Sequence, residues 1–163
     1  MKAAMKRGAV AAASAEQQVK QFVDKFEPKY RTLIRAVRKR LHSRLPTAFE
    51  LVYDNYNFFV IGYGPTLRPS DAIISMTAAA SGVGLCFLRG AALPDPARIL
   101  LGSGNQTRFI RVESPDVLAR PEVEALIAAA VRQTKPFPRQ RSADSVVIRS
   151  VSKKQRPRQK PAD

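Results

Sequence analysis

Apolar residues recur every three to four positions in three segments of this chain, a spacing that is typical of amphipathic helices. The first predicted helix spans about residues 15–26, with Ser14 and Gln17 forming a capping box at its start. The second spans about residues 28–44, and the third begins at Pro121. The apolar positions on the three stripes are Val19, Phe22, Val23, Phe26, Tyr30, Leu33, Ile34, Val37, Leu41, Val123, Leu126, Ile127, Ala130 and Val131.

Short segments between the second and third helices are rich in aromatic and β-branched residues, which favours strands. Turn residues at Asp54–Asn55 and Ser81–Gly82 separate neighbouring strands. The predicted strands lie near residues 49–53, 56–63, 72–77, 83–88 and 107–112. Helices and strands that are not regularly alternated predict an α+β fold.

The segment from Leu93 to Val112 carries the clearest local signals. Asp95 can cap a short helix over residues 97–101, and Pro96 suits its first position. Gly102 and Gly104 can take the positive φ that ends such a helix. The segment is therefore predicted to fold as a short helix, a glycine turn and a strand.

The net charge of +15 is concentrated towards the two ends of the 163-residue chain. Residues 1–15 contribute +3, residues 16–134 contribute +5 and residues 135–163 contribute +7. Charge placed in terminal segments favours long-range attraction to polyanions over a charged active site.

Composition also divides the chain into three parts. We predict a flexible basic tail over residues 1–14, an α+β domain over residues 15–133 and a basic, mostly disordered tail over residues 134–163. Within the last part, residues 146–151 have strand character and could add one edge strand. No apolar stretch is long enough for a membrane helix, and the single Cys86 fits a reducing cytoplasm.

Several short sequence motifs near the ends of these predicted elements resemble those of a known family. They are Glu50 and Tyr53, Leu85–Leu88, Leu93–Pro96, Leu101–Gly104, Arg108–Val112 and the Ala-rich helix through Ala130. Over about residues 16–133 the chain resembles the YdhG-like domain family, a conserved bacterial domain of unknown function. The resemblance implies a two-layer fold, with helices on one face of a largely antiparallel sheet of about five strands. Some relatives are described as frataxin-like iron chaperones, which bind iron on an acidic helix surface.

The glycine turn is a candidate anion site. Backbone donors of Gly102 and Gly104 could hold an anion beside Arg108 and Arg111, and we add Tyr53 as a ligand-binding candidate. Arg108 and Arg111 alternate along a strand, so they share a face only if the strand is twisted or bulged. The alternative, that the glycines only end a helix, is favoured because a strand follows them.

A carboxylate group is a candidate metal site. Glu50 and Asp54 are four residues apart and so share a face of a strand, and Asp71 could approach them to hold a divalent ion. The favoured alternative is that these carboxylates pair with helix arginines. His42 is interpreted as a surface or packing residue, and Cys86 as a buried, inert thiol.

Basic residues on the second helix and in the C-terminal tail are candidates for polyanion binding. Arg31, Arg35 and Arg38 share one side of the helix. The tail candidates are Lys153, Lys154, Arg156 and Arg158. Binding through such residues would be independent of base sequence and sensitive to salt, and a solvated basic face is the favoured alternative.

These observations favour a non-enzymatic cytoplasmic domain, monomeric or homodimeric, that binds a protein or small-molecule partner in a sheet-side cleft. The basic tail would add affinity for polyanions, and no cofactor is expected. The sequence offers neither a metal cluster nor an activated nucleophile, so an enzyme is the least favoured class. A ferrous-iron chaperone and a sequence-nonspecific nucleic-acid binder are the two alternatives.

Overall fold

The computed structural model describes residues 14–162, and its three helices follow the predicted apolar stripes. Helix α1 covers residues 14–24, α2 spans Pro28–Arg44 and α3 spans Pro121–Arg132. Ser14 is already helical, so the predicted capping box is wrong. The rest of the predicted N-terminal tail lies outside the described residues. No helix over residues 14–162 is both long enough and apolar enough to cross a bilayer.

The strands form one sheet in the order β5-β4-β3-β2-β1-β6. All neighbours are antiparallel except β1 and β6, which are parallel. The α+β class is therefore confirmed, with six strands rather than about five. The strands are β1 Phe49–Asp54, β2 Phe59–Gly64, β3 Ile74–Ala79, β4 Gly82–Phe87, β5 Arg108–Val112 and β6 Val146–Val151.

The hydrophobic core lies between the helices and one face of the sheet. A row of aligned aliphatic side chains crosses five strands on that face, and the buried helix residues join the same cluster. Burial of each such side chain contributes roughly 1.5–3 kcal/mol, so this layer dominates the stability of the fold. The row is Val52, Ile61, Met76, Leu85 and Ile110.

The segment over residues 97–101 is not helical, which corrects the prediction. Asp95 does accept hydrogen bonds from the backbone N–H groups of Ile99 and Leu100, both at 3.0 Å. However, Arg98 takes the left-handed conformation with φ of 55°, which a right-handed helix does not continue through. Leu101 then pairs with Phe109 of β5, so long-range pairing replaces the short helix.

The C-terminal part of the chain differs from the mostly disordered tail that its composition predicts. The predicted edge strand is present as β6, paired with β1. Beyond it, the backbone N–H of Ser152 donates to the carbonyl of Asp54 at 2.9 Å, and that of Arg156 donates to the carbonyl of Tyr56 at 2.8 Å. Arg158 is buried against the Asp54 carboxylate at 2.9 Å, so this segment is packed on the domain.

Gly64 is expected to tolerate no larger residue, because its backbone lies against the segment that leads into β3. A Cβ at this position would lie 2.9 Å from the Cα of Ala72 and 3.1 Å from the carbonyl oxygen of Asp71. Gly64→Ala should lower the free energy of unfolding by about 1–3 kcal/mol, measured by urea denaturation. Gly62→Ala is the control, since its Cβ would meet Ala72 and Leu51 only at 3.8 Å. Equal stability of the two variants would contradict the prediction.

Candidate functional site

A charged cleft opens between α1, α2, the start of β1 and the segment that joins α3 to β6. Its volume is about 370 Å³, within the range of roughly 300–1,000 Å³ that small-ligand pockets occupy. A second hollow, between the sheet and α3, has only about 10 Å³, room for little more than one water molecule. The charged cleft is lined by Glu16, Arg35, Arg38, Lys39, His42, Glu50 and Arg141.

Four of these side chains come from α2, and their spacing in the sequence places them on the same face of that helix. Arg35, Arg38, Lys39 and His42 are at positions i, i+3, i+4 and i+7, which share one face of a helix. The apolar stripe of α2 points to the core instead. The helix therefore carries two faces, one that anchors it and one that forms a wall of the cleft.

Glu50 is the buried centre of the cleft, with only 3% of its side chain exposed. Its carboxylate accepts hydrogen bonds from Arg38 Nε and from the Tyr63 hydroxyl, both at 2.9 Å. Arg141 Nη2 approaches it at 3.4 Å. The favoured prediction, that Glu50 pairs with a helix arginine, is thus confirmed.

Arg38 bridges two carboxylates. Its Nη1 and Nη2 donate to Glu16 at 2.9 and 2.7 Å, while its Nε donates to Glu50. Burial alone would lower the pKa of Arg38, but the hydrogen bonds to Glu16 and Glu50 outweigh it and raise that pKa. The hydrogen bond from Arg38 likewise lowers the pKa of Glu16. Burial, with the nearby Glu50 charge, raises the pKa of Tyr63 well above its ordinary value, so its hydroxyl stays a donor.

His42 forms the outer rim of the cleft, where Arg141 Nη1 lies 3.1 Å from its Nδ1. A guanidinium has only donors, so Nδ1 must accept and the ring proton is assigned to Nε2. The cleft thus presents an imidazole N–H donor beside its cations. With four cations and two carboxylates, the lining has a net charge of +2 when His42 is neutral.

The predicted anion site around the glycine turn is not assembled. Arg108 does lie beside the turn, but its Nη1 donates to the carbonyls of Gly104 and Thr107 at 2.6 and 2.9 Å and so serves the turn itself. Arg111 lies on the opposite face of β5 and is exposed. Tyr53, on β1, is four strand spacings away, about 19 Å. Gly102 has the predicted positive φ, at 112°, but Gly104 does not.

The predicted metal ligands are also kept apart. Glu50 and Asp54 share a face of β1, but Glu50 lies with arginines, and Asp54 is held by Lys25 at 2.6 Å and Arg158 at 2.9 Å. Asp71 bonds to Thr66 and to Lys135. Within residues 14–162, no group of three or more His, Cys, Asp and Glu side chains could hold a metal ion. Each carboxylate is thus paired with a cation, but the predicted helix arginine is found only at Glu50, and the prediction is wrong for Asp54 and Asp71.

The predicted polyanion-binding residues fall into two classes. Arg35 is paired with Asp24 at 2.7 Å, and Arg38 and Arg158 are engaged with carboxylates as described. Arg31 is only partly exposed, and its Nε is buried without a hydrogen-bond partner. Lys153, Lys154 and Arg156 are exposed and form no ion pair within residues 14–162, whereas Arg35, although 52% exposed, is paired.

The sequence interpretation missed Glu16, Lys39 and Arg141 as site residues and left His42 as a surface residue. The spacing of the four α2 positions was the available signal, since it predicts a polar face that is distinct from the apolar stripe. No family model, curated protein or solved structure matches this chain. The resemblance to YdhG-like domains therefore stays a prediction.

Proposed function

We propose that this protein is a non-enzymatic binding domain whose charged cleft takes a small dianion, such as a phosphate monoester or a dicarboxylate. The observation that carries the proposal is the surplus of cations: a lining of net charge +2 around a volume of about 370 Å³, or +1 when the Asp24 carboxylate that pairs with Arg35 is counted. A ligand of charge −2 would be met by Lys39, which has no carboxylate partner within residues 14–162, and by Arg141, which reaches its carboxylate only at 3.4 Å. A cytoplasmic location is part of the proposal, since the single Cys86 needs no oxidising compartment.

In this cleft, Arg38 is held in place by carboxylates, while Lys39 and Arg141 keep hydrogen-bond donors that can bind a ligand. Arg38 is held on both sides by Glu16 and Glu50, so the wall that it forms is organised before a ligand arrives. Lys39 has no carboxylate partner within residues 14–162, and Arg141 reaches Glu50 only at 3.4 Å. Charge-assisted hydrogen bonds from such donors are stronger than neutral ones, and a preformed site lowers the ordering cost of binding.

Calorimetric titration with inorganic phosphate and with a dicarboxylate tests the proposal. We expect saturable binding of one ligand per chain, and Lys39→Gln should weaken it by about fivefold or more through loss of a charge-assisted hydrogen bond. Lys29→Gln is the matched control, because Lys29 lies on the same helix outside the cleft lining. No saturable binding, or equal weakening by both substitutions, would contradict the proposal.

The ferrous-iron chaperone alternative comes from the family resemblance and has no supporting cluster among the described residues. Anaerobic titration with ferrous ion distinguishes it from the dianion site. Saturable heat from iron that persists in Lys39→Gln would favour the chaperone, because a cation site would not need this lysine.

A further inference from the structure

A second surface lies at the far end of β1 from the cleft, where the C-terminal segment wraps around the β1–β2 loop. We call it the corner surface and define it by Tyr56, Phe58, Lys153, Lys154 and Arg156. Tyr56 and Phe58 belong to the loop, and 43% and 48% of their surface area is exposed to solvent. Large aromatic side chains are usually buried, so this exposure is unusual. The three cations are all exposed.

The loop and the C-terminal segment are joined by specific contacts, so the rings and the cations keep their places relative to each other. The backbone N–H of Arg156 donates to the carbonyl of Tyr56 at 2.8 Å. Gln155 Nε2 donates to the carbonyl of Asp54 at 2.9 Å. The guanidinium of Arg156 lies 5.8 Å from the centre of the Tyr56 ring, a cation–π arrangement.

The charge at this corner is not balanced locally. Lys153, Lys154 and Arg156 form no ion pair with any carboxylate in the described part of the chain. The Asp54 carboxylate, at the end of β1, is fully buried and already shared by Lys25 and Arg158. The corner surface therefore presents positive charge next to exposed rings.

We propose that the corner surface docks single-stranded nucleic acid, with bases stacked on Tyr56 and Phe58 and phosphates on Lys153 and Lys154. Positive charge beside exposed rings is the combination that binds single strands, because every unpaired base has a face that can stack. The Arg156 guanidinium adds a further planar surface for stacking. A duplex keeps its bases stacked internally, so it would use the cations but not the rings.

Fluorescence anisotropy with labelled 12-nucleotide single strands, dT or U, at 50–200 mM salt tests the proposal with the full chain. We expect the logarithm of affinity to fall linearly with the logarithm of salt concentration. Lys153→Ala with Lys154→Ala should reduce that slope by about 1.4, at about 0.7 for each phosphate that is no longer neutralised. Tyr56→Ala with Phe58→Ala should weaken binding by about 30-fold or more, at about 1 kcal/mol or more for each lost stack, and Tyr56→Phe should leave it unchanged because the ring remains.

Arg89→Ala with Arg132→Ala is the control for net charge, because these exposed arginines lie at the other end of the sheet. Equal weakening by this pair and by the lysine pair would overturn the proposal. So would binding of a 12-base-pair duplex as tight as that of the single strand, or binding of phosphatidylserine vesicles without binding of oligonucleotide. Loss of dianion binding in Lys39→Gln with oligonucleotide affinity unchanged would confirm that the two surfaces act separately.

Discussion

Glu50→Gln is expected to lower the free energy of unfolding by about 2–4 kcal/mol, measured by urea denaturation. The substitution removes a buried negative charge and leaves Arg38 and Arg141 without the carboxylate that they share. Breaking a buried ion pair by removing one partner costs about 3–5 kcal/mol. We expect a smaller value because Arg38 keeps its contact with Glu16, and the two arginine side chains are 20% and 33% exposed.

Glu124→Gln provides the comparison for this experiment. Glu124 pairs with Arg44 at 2.7 Å, close to the Glu50–Arg38 distance, but its side chain is 47% exposed. Water and salt screen such a pair, so its loss should cost less than about 1 kcal/mol. Arg38→Met combined with Glu50→Gln should destabilise by less than the sum of the single effects, because both substitutions remove the same Arg38–Glu50 contact. Equal losses from Glu50→Gln and Glu124→Gln would show that burial does not set the strength of this pair.

The helices and most strands were predictable because their signals are local and repeated. The stripe on α2, with Leu33, Ile34, Val37 and Leu41, repeats the same preference over about two and a half turns, and all four residues are buried. The segment over residues 97–101 was mispredicted because its signals were local and single. Asp95 and Pro96 can begin either a helix or one turn, and pairing of Leu101 with Phe109 decided between them.

The C-terminal segment was mispredicted because the contacts that order it join residues far apart in the sequence. Its Lys, Arg, Gln and Pro content is typical of disorder, yet one arginine changes the outcome. Arg158 meets Asp54 across 104 positions of chain, and no periodicity links residues so far apart. The cleft could not be predicted for the same reason, since Arg141 contacts Glu50 and His42 across more than 90 positions of chain, beside the paired strands β1 and β6.

Asp54→Asn is expected to lower the free energy of unfolding by about 3–5 kcal/mol and to loosen the segment after β6. Asp54 is fully buried, and Arg158 beside it is only 3% exposed, so the substitution would leave a buried guanidinium without a counter-charge. Lys25 is 42% exposed and can turn to water. Hydrogen exchange should quicken at the amides of Ser152 and Arg156, which bond to the β1–β2 loop.

Asp71→Asn is the control, because Asp71 pairs with Lys135, whose side chain is 58% exposed, and not with a buried guanidinium, so its loss should cost less than that of Asp54. Asp54→Asn combined with Arg158→Met should recover part of the loss, since no buried charge then remains unpaired. Unchanged exchange at Ser152 and Arg156 in Asp54→Asn would show that the ion pair does not hold the segment.

The Asp54 carboxylate should also make the free energy of unfolding depend on pH under acidic conditions. Burial would raise the pKa of Asp54, but hydrogen bonds from Lys25, Gln155 and Arg158 outweigh it, so the pKa lies below its ordinary value. Its contribution to stability is therefore complete above the unfolded-state pKa of about 3.9, and it is lost as the pH falls through the lower folded-state pKa. Asp54→Asn has no such proton to take up, so its free energy of unfolding should fall less steeply below pH 4 than that of the unaltered chain. If both fall with the same slope, the stabilising ion pair is not formed in solution, and the corner surface that depends on it would lose its scaffold.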